Sequence, residues 1–482
     1  MSYRGYDIVI GLEVHAQLLT ASKIYASDST KFGAPPNTNV SVVSLAHPGT
    51  LPKLNKRVVE LAIKMGFACG SQITREQIFD RKNYFYPDLP KGYQLTQDRT
   101  PICKGGEVVI NRDSELERAI RLNRIHIEED AGKSIHDNQG DTLIDLNRAG
   151  VALIEIVTEP NIWSAKEAGT LLTEIRRLVR HLGICDGNME QGSLRCDANV
   201  SIKPEGSSIL GSKVEIKNLN SIKFVQKAID FEVDRQIDVL NDGREVRSET
   251  RLFNIDTGAT YAMRTKEELN DYRYFPDPDL SPLHISDEWL KKIKADMPEL
   301  PWVIKSKLTQ VYGLSEYNAT FISESKERVT FFYEVADLCE NYKNISNWIM
   351  GPIQSFQNNT DSKNRPITAK QLAELINLID DDQLSFTAAS GTLFQSLATN
   401  PSADVRTLAV DMGLILKGTN IDVDALIQSV IQDFPDKVSA YKSSKKGKAL
   451  LGLFMGELMK RSAGKLNPKE LKQILVQKLN EA

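Results

Sequence analysis

The feature that most restricts this chain is a change of period near residue 287. Before it, apolar residues recur mainly at every second position, in short runs divided by Gly, Asn and Asp. Beyond it they recur at helical spacing, with few strand signals. That order predicts an α+β fold with a mixed, β-rich domain first and an all-α domain after it. At 482 residues the chain is too long for one core, so further division is expected. We place boundaries at 1–290, 291–405 and 406–482. The proline-rich stretch "RYFPDPDLSPLHIS" closes the first part, and a hinge at "ATNPSADVRTLAVDMG" opens the third, a small helical tail.

Strands are predicted at 7–18, 108–112, 120–129, 141–146, 151–158, 195–203 and 212–218, and helices near 56–66, 164–182 and 221–241. Ser164 followed by Glu167 is a capping-box signature for the second helix. Because side chains alternate across a strand, residues two apart share a face. In "IVIGLEVHAQL" Ile8, Ile10, Leu12, Val14 and Ala16 take one side, and Glu13, His15 and Gln17 the other. Arg124, His126 and Glu128 oppose Ile125 and Ile127. Arg195, Asp197, Asn199 and Ser201 oppose Cys196, Ala198, Val200 and Ile202. Glu215 and Lys217 oppose Val214 and Ile216. A solvated sheet face accounts for any one of these strands. Four of them, rich in carboxylates, would repel one another if adjacent unless a cation compensates. Oxygen donors with an occasional imidazole suit Mg²⁺ or Mn²⁺ rather than zinc, and magnesium commonly accompanies phosphate chemistry.

No GxxxxGK[ST] loop occurs, nor a kinase or Rossmann glycine signature. Two other clusters carry polar chemistry. "FDRKNYFYPDLPKGYQLTQ" interleaves Arg81 and Lys82 with Tyr84, Phe85, Tyr86 and Tyr93, either a grip for a base and its phosphates or a loop pinned by tyrosines. "DLNRAGVALIEIVTEP" offers Asn147, Arg148, Glu155 and Glu159 as ligands or ion-pair members. The five cysteines have no CxxC spacing, which argues against a zinc site and a disulfide framework. No apolar run approaches a membrane span, and the N-terminus lacks the order of a secretory signal, so a cytoplasmic protein without a membrane partner is expected. Net charge is −4, yet residues 437–482 hold 11 Lys or Arg and 3 Glu, a local +8 that suits either nucleic acid or a solvated helix face.

"IGLEVHAQL", "FDRKNYFYPDLPKGYQ", "IHIEEDAGK", "DLNRAGVALIEIVTEP", "GSLRCDANVSI", "VEIKNLNS" and "DYRYFPDPDL" resemble, in order, the motif set of the B subunit of the aspartyl/glutamyl-tRNA amidotransferases. "GKALLGLFMGELMKRSAGKLNP" resembles that family's C-terminal segment. The resemblance implies a cradle-shaped catalytic domain, a helical domain and a tail that grips tRNA. It implies ATP- and Mg²⁺-dependent phosphorylation of the side-chain carboxylate of mischarged Glu-tRNA(Gln) or Asp-tRNA(Asn), then amidation. Ammonia would come from an amidase-type glutaminase, the A subunit, with a small C subunit completing a heterotrimer. No GxSxG elbow or Cys–His glutaminase pattern is evident in the chain itself.

By motif position, Glu13, His15, Glu128, Asp197 and Glu215 are the expected metal cluster and catalytic set, with Glu129 the alternative to Glu128. Ser193, Arg195 and Lys217 are the expected phosphate contacts, and Asn218 and Asn220 are expected to orient substrate. Lys445, Lys446, Lys448, Lys460, Arg461 and Lys465 are expected to meet tRNA phosphates. Gly452 and Gly456 are read as sites of close helix packing, and His47, where many relatives are apolar, as structural. The missing cysteine motif implies a zinc-free version of the family.

Overall fold

The computed structural model describes residues 2–136, 141–265, 272–360, 364–416, 422–443, 447–462, 466 and 468–481. The chain divides into two units, Met1–Leu300 and Pro301–Ala482.

The first unit is built on an 11-stranded sheet. Its central strands are β1 (Tyr6–Gln17), β2 (Arg118–Glu129), β3 (Ala152–Thr158), β4 (Leu194–Pro204), β5 (Val214–Leu219), β6 (Glu249–Phe253) and β7 (Thr260–Thr265). They lie in the order β7-β6-β5-β4-β1-β3-β2. All these neighbours are antiparallel except β5 and β6, which are parallel. The seven strands read from the sequence all form, but β6 and β7 escaped that reading. Both carry charged residues such as Arg251 and Glu249, which interrupt the apolar alternation. These charges are paired in place: Arg251 and Arg235 form ion pairs with Glu249 and with the fully buried Glu232.

The apolar sides of these strands make the core: Ile10, Leu12, Val14, Ala16, Ile125, Ile127, Ala198 and Val200 are all fully buried. Helices α1 (Lys56–Ala68), α2 (Ala165–His181) and α3 (Ile222–Asn241) pack on that side, leaving the polar face uncovered by them. Ser164 caps α2 by accepting from the Glu167 N–H. Glu167 does not close a reciprocal box. Its carboxylate instead accepts from Trp163 N at 2.8 Å and from Arg118 at the end of the sheet. The Tyr-rich segment is a small sheet rather than a loop: Asp80–Asn83 pairs with Tyr93–Thr96 on one side and Phe275–Pro276 on the other.

Among the described residues the regular elements of the second unit are all helices, with two separate cores. One gathers residues from Ile304 to Ala409 around Phe332, Trp348 and Phe394. The other gathers Ile427, Val430, Phe454, Leu458, Leu471, Leu475 and Leu479. The expected hinge at 398–413 contains a helix, Val405–Asp411, whose Val405 and Ala409 belong to the first of these cores. In the helix Gly447–Arg461, a Cβ added at Gly452 or Gly456 meets nothing within 4 Å. The expected close packing at these glycines is therefore absent, and they line open surface. Among the described residues no helix is long and apolar enough to cross a membrane.

Candidate active site

The pairing register turns strand parity into rows of side chains running across the sheet. One row holds His126 on β2, Glu155 on β3, His15 on β1 and Arg195 on β4, each directly opposite the next. The next row along holds Arg124, Val157, Glu13 and Asp197. On the other side Glu128, Leu153 and Gln17 align. The polar face is thus a patterned patch whose centre is the His15–Glu155–His126 row.

His15 Nε2 lies 3.5 Å from Glu128 Oε1 and 3.6 Å from Glu155 Oε2. One ligand-type atom from each of these three residues falls within 4.8 Å of the others. His126 Nε2 sits 3.1 Å from Glu155 Oε2 and 3.7 Å from Glu128 Oε2. Burial alone would push the His126 imidazole down, but its bonds to the two carboxylates outweigh that and hold it up at about 9. Glu155 is correspondingly held well below the usual carboxylate range: burial opposes this, and the His126 hydrogen bond and charge override it. Adjacent ligands of an octahedral Mg²⁺, each about 2.1 Å from the ion, stand roughly 3 Å apart. The two distances from His15, 3.5 and 3.6 Å, are about half an ångström wider than that, and the oxygen-rich donor set suits Mg²⁺ or Mn²⁺.

Asp130, buried at the end of β2, accepts from Arg195 Nη2 and Gln17 Nε2, both at 2.9 Å, with Arg148 Nε at 3.6 Å. The carboxylate thereby orients Arg195 beside His15, while Arg148 is fixed by the Ala131 and Gly132 carbonyls at 2.9 and 2.6 Å. Gln17, Arg148 and Ser193 also line a cleft of about 650 Å³ together with Lys31, Phe32 and Lys133. Ser193 Oγ itself donates to Asp186 at 3.3 Å. Near the site, Lys82 Nζ lies 4.8 Å from the Tyr272 ring, which packs edge-on against Tyr84 and Tyr274. Burial and the charge of Glu128 push the Tyr84 hydroxyl up. Phe85, one residue on, is 91% exposed.

Residues 8–291 match the family model described as the GatB/GatE catalytic domain, and residues 330–479 match one described as the GatB domain. The chain is 47% identical over 479 residues to the B subunit of the aspartyl/glutamyl-tRNA(Asn/Gln) amidotransferase of Variovorax paradoxus. It is 46% identical to that of Albidiferax ferrireducens and 44% to that of Thermodesulfovibrio yellowstonii. In each case 99% of this chain and 100% of the relative are covered. The chain belongs to the B-subunit family of these amidotransferases.

Of the five residues expected to form the metal cluster of this B subunit, the structure brings His15 and Glu128 together in one group that could hold an ion, with Glu155 as its third member. Glu129 points to the opposite face, where Lys91 contacts its carboxylate and Leu95 N donates to it at 2.8 Å. Glu13 lies one row away, accepting from Asn199 Nδ2 at 2.9 Å. Burial, then the charges of Glu155 and Glu215, hold its carboxyl above the usual range. Asp197 and Glu215 are tied to Lys217 instead, at 2.7 and 2.8 Å. Asn218 donates to Phe253 O at 3.1 Å, and Asn220 is exposed. His47 is exposed at the rim of a smaller pocket around Lys91 and Glu129. In the tail, Lys460 is exposed and Arg461 is paired with Asp433 and Glu457. Lys445, Lys446 and Lys465 lie outside the described residues, as does the side chain of Lys448.

Proposed function

We propose that the polar face of this B subunit activates the side-chain carboxylate of an aspartyl- or glutamyl-tRNA with ATP and then amidates it with ammonia. Family membership carries the reaction class, a C–N ligase of the tRNA-dependent amidotransferases that uses glutamine as amide source. The single observation that supports the location is the convergence of His15, Glu128 and Glu155 on one sheet face.

A carboxylate is a poor acylating agent because oxide would have to leave. In the first step its oxygen bonds to the γ-phosphorus of ATP, the bond to the β,γ-bridging oxygen breaks, and ADP leaves with the electron pair. In the second, ammonia adds to the carbonyl carbon, phosphate leaves, and the nitrogen sheds a proton to form the amide. The residues that would hold Mg²⁺ are His15, Glu128 and Glu155, and the ion supplies neutralisation of phosphate charge. Arg195, held by Asp130, stands beside His15, and Arg148 lines the cleft where Ser193 stands, together a fitting surface for phosphate oxygens. Glu13, whose carboxyl is held above its usual range, is suited to take a proton as the amide forms.

Ammonia is supplied in this reading by an amidase-type glutaminase, the A subunit, with a small C subunit, in the cytoplasm. The tail, through Lys460 and its neighbouring lysines, holds tRNA phosphates without reading sequence. Replacing His15 with alanine and measuring ATP-dependent amidation of mischarged tRNA with ammonium chloride bypasses the glutaminase. The rate is expected to fall by about 100-fold or more. An unchanged rate contradicts the assignment.

A further inference from the structure

The polar face is asymmetric about the His126–Glu155–His15 row. On one flank lie Glu128 and Gln17, and Gln17 opens onto the cleft that Arg148 and Ser193 also line. On the other flank lies the Arg124–Val157–Glu13 row, one step of about 6.8 Å along the strands. The short strand Cys103–Lys104 continues that row outward, with exposed Lys104 directly opposite Arg124.

Three other cations that border this face are engaged. Lys217 bonds Asp197 and Glu215, Arg195 bonds Asp130, and Lys82 lies over the Tyr272 ring. Arg124 differs. Among the described residues its guanidinium makes no hydrogen bond or ion pair, and its Nε is buried without a partner. Its charge reaches Tyr274, whose hydroxyl burial pushes up while Arg124 acts in the opposite sense. A buried donor without a partner is rare and costly, so a half-buried guanidinium of this kind suits an anion that brings its own acceptors.

We infer that Arg124 holds the side-chain carboxylate of the aminoacyl group, on the flank of the His15–Glu128–Glu155 cluster opposite the cleft. The inference rests on the phosphoryl-transfer reading above. Transfer in line puts the attacking and leaving oxygens on opposite sides of phosphorus. With the phosphates on the side of Ser193 and Arg148, the carboxylate enters from the side of Arg124. A carboxylate drawn to a face that carries Glu13, Glu128 and Glu155 meets repulsion, which a planar guanidinium offsets with two parallel N–H···O bonds. As one carboxylate oxygen bonds to phosphorus, the guanidinium keeps the other, the future carbonyl oxygen. It transfers no proton. The amide product carries an NH₂ group that cannot accept, so Arg124 favours the acid over the amide and helps the product leave.

The test is tRNA binding by the full chain in complex with its partner subunits, with Mg²⁺ and β,γ-methylene-ATP so that no phosphate is transferred. Wild type, Arg124→Gln, Arg124→Lys and Lys104→Ala are compared on three ligands. These are the glutamyl- or aspartyl-tRNA that the wild type turns over, the same tRNA carrying the amide, and the same tRNA uncharged. The wild type is expected to bind the acid form about 10-fold or more tighter than the amide form. Arg124→Gln is expected to remove that preference while the amide and uncharged tRNAs bind as before. Arg124→Lys keeps the charge without the fork, is expected to restore part of the preference, and covers the case in which the glutamine variant does not fold. Lys104→Ala, which removes a neighbouring charge, is expected to keep the preference in full. Equal loss of affinity for all three tRNAs assigns Arg124 to a tRNA phosphate and overturns the inference. An undiminished preference in the folded Arg124 variants overturns it too, as does a wild type that shows no preference. Aminoacyl-tRNA-dependent ADP formation by the wild type, measured alongside with ATP, separates the two readings. If it is absent, the phosphoryl-transfer reading falls and this inference with it; if it is present, any of the contrary binding results falls on Arg124 alone.

Discussion

Lys23 runs its side chain through the interior of the first unit, 1% exposed, with its ammonium 3.9 Å from Asp28 and 3.3 Å from the Leu146 carbonyl. Burial brings it down to about 8, only partly offset by Asp28. In the unfolded chain it titrates near 10.4, so between about 8 and 10.4 the unfolded state binds more protons. Its presence therefore costs stability below pH 8, and that cost is relieved as pH rises through the window, by about 3 kcal/mol in full. Urea unfolding at pH 7 and pH 10 is expected to show the wild type gaining on Lys23→Met as pH rises; a constant difference contradicts it. At the same scale, two carboxylates of the site differ in how far the sequence exposes them. Alternation along β2 was enough to choose Glu128 over Glu129 for the polar face, since that is a local property of one strand. The partnership of Glu155 with His15 and His126 was not legible, because it depends on β3 lying between β1 and β2. The pairing of β1 with β3, across more than a hundred residues, leaves no trace in either segment alone.

Among the elements, the strands with a clean period of two were readable to within a residue or two, as were the helices opened by Ser164 and Ser221. What failed were elements whose stability is tertiary: β6 and β7, held by the buried Glu232 network, and the Asp80–Asn83 strand, whose pairing partner Phe275–Pro276 comes from the far end of the unit. The connection between β4 and β5 makes a testable case. A Cβ at Gly211 would stand 2.0 Å from the backbone carbonyl oxygen of Ile202, which cannot rotate away. Gly211→Ala is expected to destabilise the chain by ~1–3 kcal/mol and to weaken Mn²⁺ binding little, because β1, β2 and β3 carry the three proposed donors. Chemical denaturation measures the first and calorimetry the second; unaltered stability means the hairpin gives way without cost.

For the whole molecule, the α+β order was legible because the hydrophobic period itself changes near residue 287. The division of the helical part was less so, because the Val405–Asp411 helix joins the core before it while the last core begins at Ile427. A chain ended after Leu416 keeps the first helical core complete. It is expected to retain Mn²⁺ binding and to lose tRNA affinity, with a shallower dependence of binding on salt as phosphate contacts disappear. Equal affinity and equal salt slope would show that the tail does not hold tRNA. Centrally, we propose that a carboxylate on tRNA is activated where His15, Glu128 and Glu155 meet. The most direct measurement is aminoacyl-tRNA-dependent ADP formation by Glu155→Ala in complex with its partner subunits. A fall of about 100-fold or more, with the fold intact by circular dichroism, is the predicted result. ADP formation at the wild-type rate would contradict it.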